Sequence, residues 1–246
     1  MNILVCISKA PDTTTKIAFK DGDTRFNEDN VTFILNPYDE WYALVRALEL
    51  KETLGGNVSV LHVGPASSEP EIRKALAIGA DEAVRIDLDA QDAGQVAAEV
   101  AAYVQGKSFD LIMVGKETIN YNGASVGGFV AGYLGWPYVS MATKLEVAGS
   151  TATIEHDVEG GTEVLEGEFP LVISCAKGMA EARIPNMRGI MAARTKPLQV
   201  VASCGAEALT SVVKYAVAPG RTAVKLIDPE QMDQLVELLH NEAKVI

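Results

Sequence analysis

The chain has 246 residues and a formal net charge of −12, with 48% of residues hydrophobic and 22% charged. That length allows one large or two small domains with a sizeable core, and the acidic balance argues against nucleic-acid binding, which draws on basic surface. No apolar run approaches the ~18 residues of a membrane span, and MNILVCISKAPD has no basic region ahead of its short apolar run, so it reads as a first strand and the expected location is cytoplasmic.

Taken in order, NILVCIS is a continuous apolar strand. In PYDEWYALVRALELKETLGG, Trp41, Leu44, Val45 and Leu48 fall at i, i+3, i+4 and i+7, which makes one helical face, and Gly55 supplies the stop. NVSVLHVG is the next strand, SEPEIRKALAIGA a helix closed at Gly79, and EAVRID a short strand. AGQVAAEVAAYVQG is an alanine-rich helix ended by Gly106, and FDLIMVG is a strand that hands over to GKETINYNGASVGG, residues 115–128. Strands alternating with helices at this spacing predict βαβ units and a mostly parallel sheet covered on both faces.

Past Pro137, TKLEVAGSTATIEHDVEGGTEVLEGEFPLVISCA carries strand-like runs separated by Gly-Ser and Gly-Gly turn signals, which predicts appended antiparallel hairpins. KGMAEARIPNMRGIMAARTKPL, rich in small and basic residues, reads as an exposed loop with a short helix. The end of the chain gives an arm and an amphipathic helix with Met232, Leu235, Leu238 and Leu239 on one side, a face that needs a docking surface. The expected fold is therefore α/β, a mostly parallel doubly wound sheet of Rossmann-like, adenine-nucleotide-binding type, with an appended β-hairpin region and a C-terminal arm and helix. The expected division is 1–198 for the α/β unit and 199–246 for the arm and helix.

Catalytic signatures are missing. There is no Walker loop, no G-x-G-x-x-G after a strand and no G-x-S-x-G elbow. Cys6, Cys175 and Cys204 are isolated, and the first two lie in apolar runs as small buried hydrophobes. His62, His156 and His240 have no metal-ligand spacing, and His62 reads as a packed or backbone-bonded strand residue. Nothing pairs a nucleophile with a base, so the sequence points to binding rather than catalysis.

In an open parallel sheet a ligand settles beyond the carboxyl ends of the strands. A helix starting near Asn122 to Ser125 aims free N–H groups at such a place, a seat for phosphate, and Gly123, Gly127 and Gly128 permit close approach. The alternative is that Asn122 caps the helix and the glycines serve packing. Asn36, Pro37 and Asp39 in ILNPYDE, and Gly64 and Pro65 in HVGPA, stand at two further strand ends, with Cys6 as the floor of a shared crevice.

Read together, NPYDEWYALVRALELKE, VGPASSEPEIRKALAIGADEAVRI, FDLIMVGKETIN, LGWPYVS, EGGTEVLEGEFPLVIS and EARIPNMRGIMAARTKPL resemble the β subunit of electron transfer flavoprotein, in that family's order and over nearly the whole chain. The resemblance implies a subunit that buries AMP without redox work and pairs with an α subunit carrying FAD. The pair takes electrons from flavin dehydrogenases to a quinone-linked acceptor. It implies nucleotide contacts at Cys6, Asn36, Pro37, Tyr38, Asp39 and Val63, and in the loop at Gly115, Lys116, Thr118, Asn120, Asn122, Gly123, Ala124, Ser125 and Val126. It further implies a partner-recognition segment with Glu181 and Arg183, whose apolar anchor falls by count on Met179. Glu163 would contact the mobile flavin domain, and Arg221 would dock on the α subunit.

Two departures stand out. Where the family's loop carries aspartates, then glutamine and threonine, this chain has Asn120, Asn122, Ser125 and Val126, and SKAPDTTTK resembles flavin-bifurcating relatives, in which a second FAD replaces AMP and receives electrons from NADH. The competing readings are that bifurcating subunit and a stand-alone adenine-nucleotide regulator of universal-stress type. AMP is the favoured occupant.

Overall fold

The structure, a computed structural model, describes residues 1–220 and 223–246. Its strands and helices run in chain order from β1 (Asn2–Cys6), β2 (Lys9–Pro11), β3 (Phe19–Lys20), β4 (Arg25–Phe26) and β5 (Phe33–Leu35) to α1 (Asp39–Leu54). Next come β6 (Asn57–Val63), α2 (Glu69–Ile78), β7 (Glu82–Asp87), α3 (Ala93–Val104), β8 (Leu111–Gly115) and α4 (Val126–Leu134). The remainder is β9 (Tyr138–Ala148), β10 (Thr151–Val158), β11 (Gly161–Glu168), β12 (Leu171–Cys175), α5 (Met187–Ala193), β13 (Leu198–Ala202) and α6 (Met232–Glu237). The described residues form two compact units, Met1–Lys16 with Asn27–Val213, and Ile17–Phe26 with Lys214–Ile246.

The first unit is built on a nine-stranded sheet in the order β11-β10-β9-β12-β8-β1-β6-β7-β13. From β9 across to β13 every neighbouring pair is parallel, and only β10, which pairs antiparallel with both β9 and β11, runs in the opposite direction. The apolar runs of the central strands explain why both faces are covered. Ile3, Val5, Leu111, Met113, Leu171 and Ile173 point into a core shared with Leu44, Leu48, Ile72 and Leu76 of α1 and α2. Their alternates Leu4, Ile112, Val114 and Val172 meet Val100 of α3 and Val130 of α4 on the other side. Period-two alternation with both sets apolar is the signature of a doubly covered parallel sheet.

Chain order fixes the position of the crevice. From β1 the chain moves to β6 and then β7, and α3 carries it back to β8 on the other side of β1. The order therefore reverses between β1 and β8, and in open parallel sheets the loops after two such strands diverge to leave a crevice at their carboxyl ends.

Two parts of the sheet differ from the sequence reading. The hairpins β9–β10 and β10–β11 form as expected, but β12 does not extend them. It inserts between β8 and β9, pairing Leu171 with Leu111 through to Cys175 with Gly115. Its residues LVISC are uniformly buried, which suits a central strand better than a hairpin edge. The chain then crosses to the far edge, where Leu198–Ala202 adds to β7.

In the second unit, β3 and β4 pair antiparallel and Tyr215 stacks on Phe19 with ring centroids 4.8 Å apart. The Tyr215 N–H donates to the Asp23 carbonyl at 2.7 Å. Helix α6 continues as a wider π-helical turn over Leu238–Ala243, and none of its residues is buried. Among the described residues no helix is long and apolar enough to cross a membrane.

Candidate functional site

The crevice is assembled by the first turn of α1. Glu40, almost wholly buried, accepts the Ser8 N–H at Oε2 (2.6 Å) and the Ser8 hydroxyl at Oε1 (2.8 Å). It thereby clasps the chain leaving β1. Burial pushes the Glu40 carboxyl up to about 8, against the Ser8 hydrogen bonds that lower it. The same burial, with the Glu40 charge adding to it, pushes the Cys6 thiol up to about 12, so Cys6 is no thiolate nucleophile at neutral pH. On the other side, Gly115 at the end of β8 lies so close to α1 that a Cβ would stand 2.8 Å from Glu40 Cγ and 2.9 Å from the Glu40 nitrogen.

Asn36 ties these pieces together. It is 0% exposed. Its Nδ2 donates to Ser8 Oγ at 2.9 Å and to Asn120 Oδ1 at 3.1 Å, and its Oδ1 accepts the Ile119 N–H at 3.1 Å. Both amide hydrogens are thereby spent on protein acceptors, so any ligand contact by Asn36 falls to its backbone or to the remaining Oδ1 lone pair.

The loop after β8 leaves with the Lys116 N–H bonded to the Cys175 carbonyl at 2.8 Å, and the Lys116 ammonium pairs with Glu117 at 3.0 Å and with Asp39 at 4.0 Å. Burial raises the Asp39 carboxyl, while Lys116 and the Glu117 N–H oppose the rise. The Asn122 N–H closes a turn on the Thr118 carbonyl at 2.8 Å. Asn122 (φ 50) and Ala124 (φ 48) on either side of Gly123 then adopt left-handed backbone, the kind of sequence that turns successive N–H groups toward one point. The N–H groups of Gly123, Ala124 and Ser125 have no hydrogen-bond partner among the described residues, and Ser125 precedes α4 without a side-chain cap. Asn122 thus does not cap α4. Pro37, Tyr38, Asp39, Tyr42, Lys116, Glu117, Ile119, Asn122 and Lys177 line a recess of about 240 Å³ here. Tyr38 enters α1 with φ 67, a strained value for an aromatic residue.

Other residues singled out by sequence lie elsewhere. Val63 ends β6, on the far side of β1 from the recess, and His62 is buried with Nδ1 bonded to the Ile7 carbonyl at 2.9 Å. Glu163 is exposed on β11 and meets His156 Nε2 at 3.1 Å. Arg183 spans to Glu52 at 2.7 Å, and the Trp41 indole N–H donates to the Arg183 carbonyl at 3.1 Å, so this residue anchors its loop to α1 while Glu181 stays exposed. Met179 is 5% exposed and belongs to the core beside Leu145 and Ile173, which corrects the expectation of a protruding anchor at this residue. The exposed apolar side chain of that segment is Ile184, at 84%, followed by Met187 and Met191. Arg221 lies outside the described residues.

Sequence reasoning did not single out Ser8, Glu40, Tyr42, Ile119 or Lys177. An acid directly following N-P-Y-D is indistinguishable in sequence from ordinary first-turn helix charge, and Ser8 and Lys177 gain meaning only once β1 and β12 flank β8. Among the described residues no three His, Cys, Asp or Glu side chains gather as a metal site.

The family profile described as electron transfer flavoprotein domain matches residues 23–206. The electron transfer flavoprotein subunit beta of Bacillus subtilis (strain 168) is 36% identical over 260 residues covering 100% of both chains. That of Syntrophomonas wolfei is 34% identical over 100% of this chain and 98% of its own, and that of Bos taurus 30% identical over 91% of each. A doubly wound sheet with its loops gathered at the β1–β8 switch point and a match running through the whole chain have one explanation: this protein belongs to the electron transfer flavoprotein β-subunit family.

Proposed function

We propose that this chain is the AMP-binding β subunit of a cytoplasmic electron carrier that works with an FAD-bearing α subunit between flavin dehydrogenases and a quinone-linked acceptor. The observation that carries the nucleotide assignment is the group of free N–H donors at Gly123, Ala124 and Ser125, set ahead of α4 at the switch point. Such donors suit a phosphate, since they offer hydrogen bonds and the positive end of a helix dipole without needing a basic side chain. The loop from Gly115 to Val126, with Asn36 to Asp39, would hold the nucleotide, and Cys6 and Val63 would bound it at the ends of β1 and β6. The neutral Cys6 thiol and the spent amide of Asn36 support a nucleotide that is held and not transformed. The redox chemistry is supplied by the flavin bound in the partner.

The exposed apolar residues of the second unit, Leu226 at 89% and Met232 at 61% among them, support docking of the arm within 199–246 on the α subunit, Arg221 included. Glu163 and its hairpin would face the flavin domain. Ile184, flanked by Glu181 and Arg183, is the apolar anchor for a dehydrogenase in place of Met179. Ile184→Ser is expected to slow reduction of the complex by its dehydrogenase roughly tenfold or more, as loss of a central apolar anchor does, with the flavin spectrum unchanged. An unaltered rate in stopped-flow reduction removes Ile184 from that role.

The nucleotide reading is tested by denaturing the purified α–β complex and identifying the released small molecules by mass spectrometry against flavin absorbance. AMP and one FAD per complex are expected. Two FAD and no AMP would establish the bifurcating reading that Pro11, Asp12 and Thr13 resemble.

A further inference from the structure

The loop that would close on the nucleotide is secured at its middle by a hydrogen bond between two side chains 84 residues apart, Asn36 and Asn120. We infer that this amide pair is a latch: Asn36, through Asn120 and the Ile119 N–H, holds residues 119–125 in the ligand-competent shape and sets how slowly bound nucleotide exchanges.

The argument runs along the bonds. Asn36 is fixed first, because its own N–H donates to the Ser8 carbonyl at 2.9 Å and its Nδ2 to Ser8 Oγ, which Glu40 in turn secures. It is a rigid point on the scaffold, with its remaining amide hydrogen and its carbonyl oxygen aimed at the loop. Asn120 is exposed and offers only its Oδ1 in this contact. Immediately after it the backbone enters the left-handed conformations of Asn122 and Ala124, which cost about 1 kcal/mol or more each in a non-glycine residue. A segment carrying that strain keeps its shape only while surrounding bonds over-determine it, and it is in this shape that the N–H groups of Gly123 to Ser125 stand without a protein acceptor among the described residues. The latch also explains how asparagine serves at 120. The contact needs an acceptor there, and a carbonyl oxygen provides one without placing a negative charge beside a phosphate.

This inference rests on the nucleotide reading above, and Asn36 and Asn120 act in it as positioning residues. It predicts a chemical asymmetry at position 120. Asn120→Asp retains the acceptor and is expected to keep the Ile119 amide as protected as in the parent. Asn120→Leu is similar in size without an acceptor, leaves the buried Asn36 N–H unsatisfied, and is expected to speed exchange roughly tenfold or more. The double variant Asn36→Ala, Asn120→Leu is expected to be no faster than Asn36→Ala alone, because both break the same bond.

The measurement uses the α–β complex, with isotope-labelled AMP as the chasing probe, the released nucleotide read by mass spectrometry, and thermal midpoint and flavin absorbance as checks on folding. Amide hydrogen exchange over residues 117–121 is followed in the same samples. Faster AMP exchange and lost Ile119 protection in Asn120→Leu, with Ile119 protection kept in Asn120→Asp, supports the latch. Equal Ile119 protection in the two variants, or additive effects on exchange in the double variant, overturns it. If the parent complex holds no nucleotide, the reading beneath the inference fails, and the latch is still decided by amide protection: equal protection in the leucine and aspartate variants overturns it.

Discussion

Gly115→Ala is expected to lower stability by about 2–3 kcal/mol, the cost of forcing a methyl group into a packed contact. In a chain of this size that is a fall of roughly 5–10 °C in thermal midpoint. The new Cβ would lie 2.8 Å from Glu40 Cγ, 2.9 Å from the Glu40 nitrogen and 3.2 Å from the Asp39 carbonyl carbon. Two of these three are backbone atoms of a helix whose Leu44 and Leu48 are locked in the core, so α1 has no low-cost way to retreat. A control separates sterics from the mere loss of a glycine. At Gly123 a Cβ meets only Ser125 Oγ, at 3.6 Å, so Gly123→Ala is expected to leave the midpoint within a degree or two, as substitutions in open space do. Differential scanning calorimetry of the two variants decides the matter, and equal midpoints would refute the close packing of β8 on α1.

The second large effect is on the dependence of stability on pH. Glu40 titrates near its ordinary 4.5 in the unfolded chain and at about 8 in the folded one. Between those values the native state holds a proton that the unfolded chain releases. The stabilisation is therefore complete below about 4.5 and is lost as pH rises through about 8. Burial is the main cause, and the neighbouring Asp39 charge adds to it while the Ser8 hydrogen bonds work against it. The loss is of the order of 3–5 kcal/mol across that window. Glu40→Gln keeps an acceptor for the Ser8 N–H but has no proton to lose, so the urea midpoint of the parent is expected to fall steadily relative to that of the variant between about pH 5 and 8, a difference that cancels the other titrating groups the two share. Parallel slopes would show that Glu40 is ionised in the folded protein.

Much of this architecture was readable in the residues. The strands and helices through β8 follow from apolar runs and from the helical face of Trp41, Leu44, Val45 and Leu48, with Gly55 and Gly79 ending α1 and α2 at positive φ as expected of stop glycines. The break between β8 and α4 was legible because Gly115 and Gly123 interrupt otherwise regular patterns. What stayed hidden is non-local or conformationally unusual. Asn36 offers the signals of a turn residue, and its bonds to Ser8, Ile119 and Asn120 exist only after distant segments meet. Asn122 and Ala124 occupy left-handed backbone that sequence patterns assign to glycine. Met179 was expected to protrude because a count along the residues that resemble the family placed the anchor there, in a stretch of small and polar neighbours, yet a flexible thioether fills a core gap as readily as it reaches a partner.

The placement of β12 bears on how the protein is made. During synthesis β8 has β1 beside it long before residues 171–175 leave the ribosome, so its other edge stays unpaired through the production of α4 and both hairpins. An open apolar strand edge in the middle of a future sheet invites the wrong partner. The Cys175 carbonyl that receives the Lys116 N–H arrives with that same late strand. A nascent chain or fragment ending before Leu171 therefore has most of its helices but lacks the strand that ties down the loop after β8, so the cradle proposed for the nucleotide is completed only in the last third of translation.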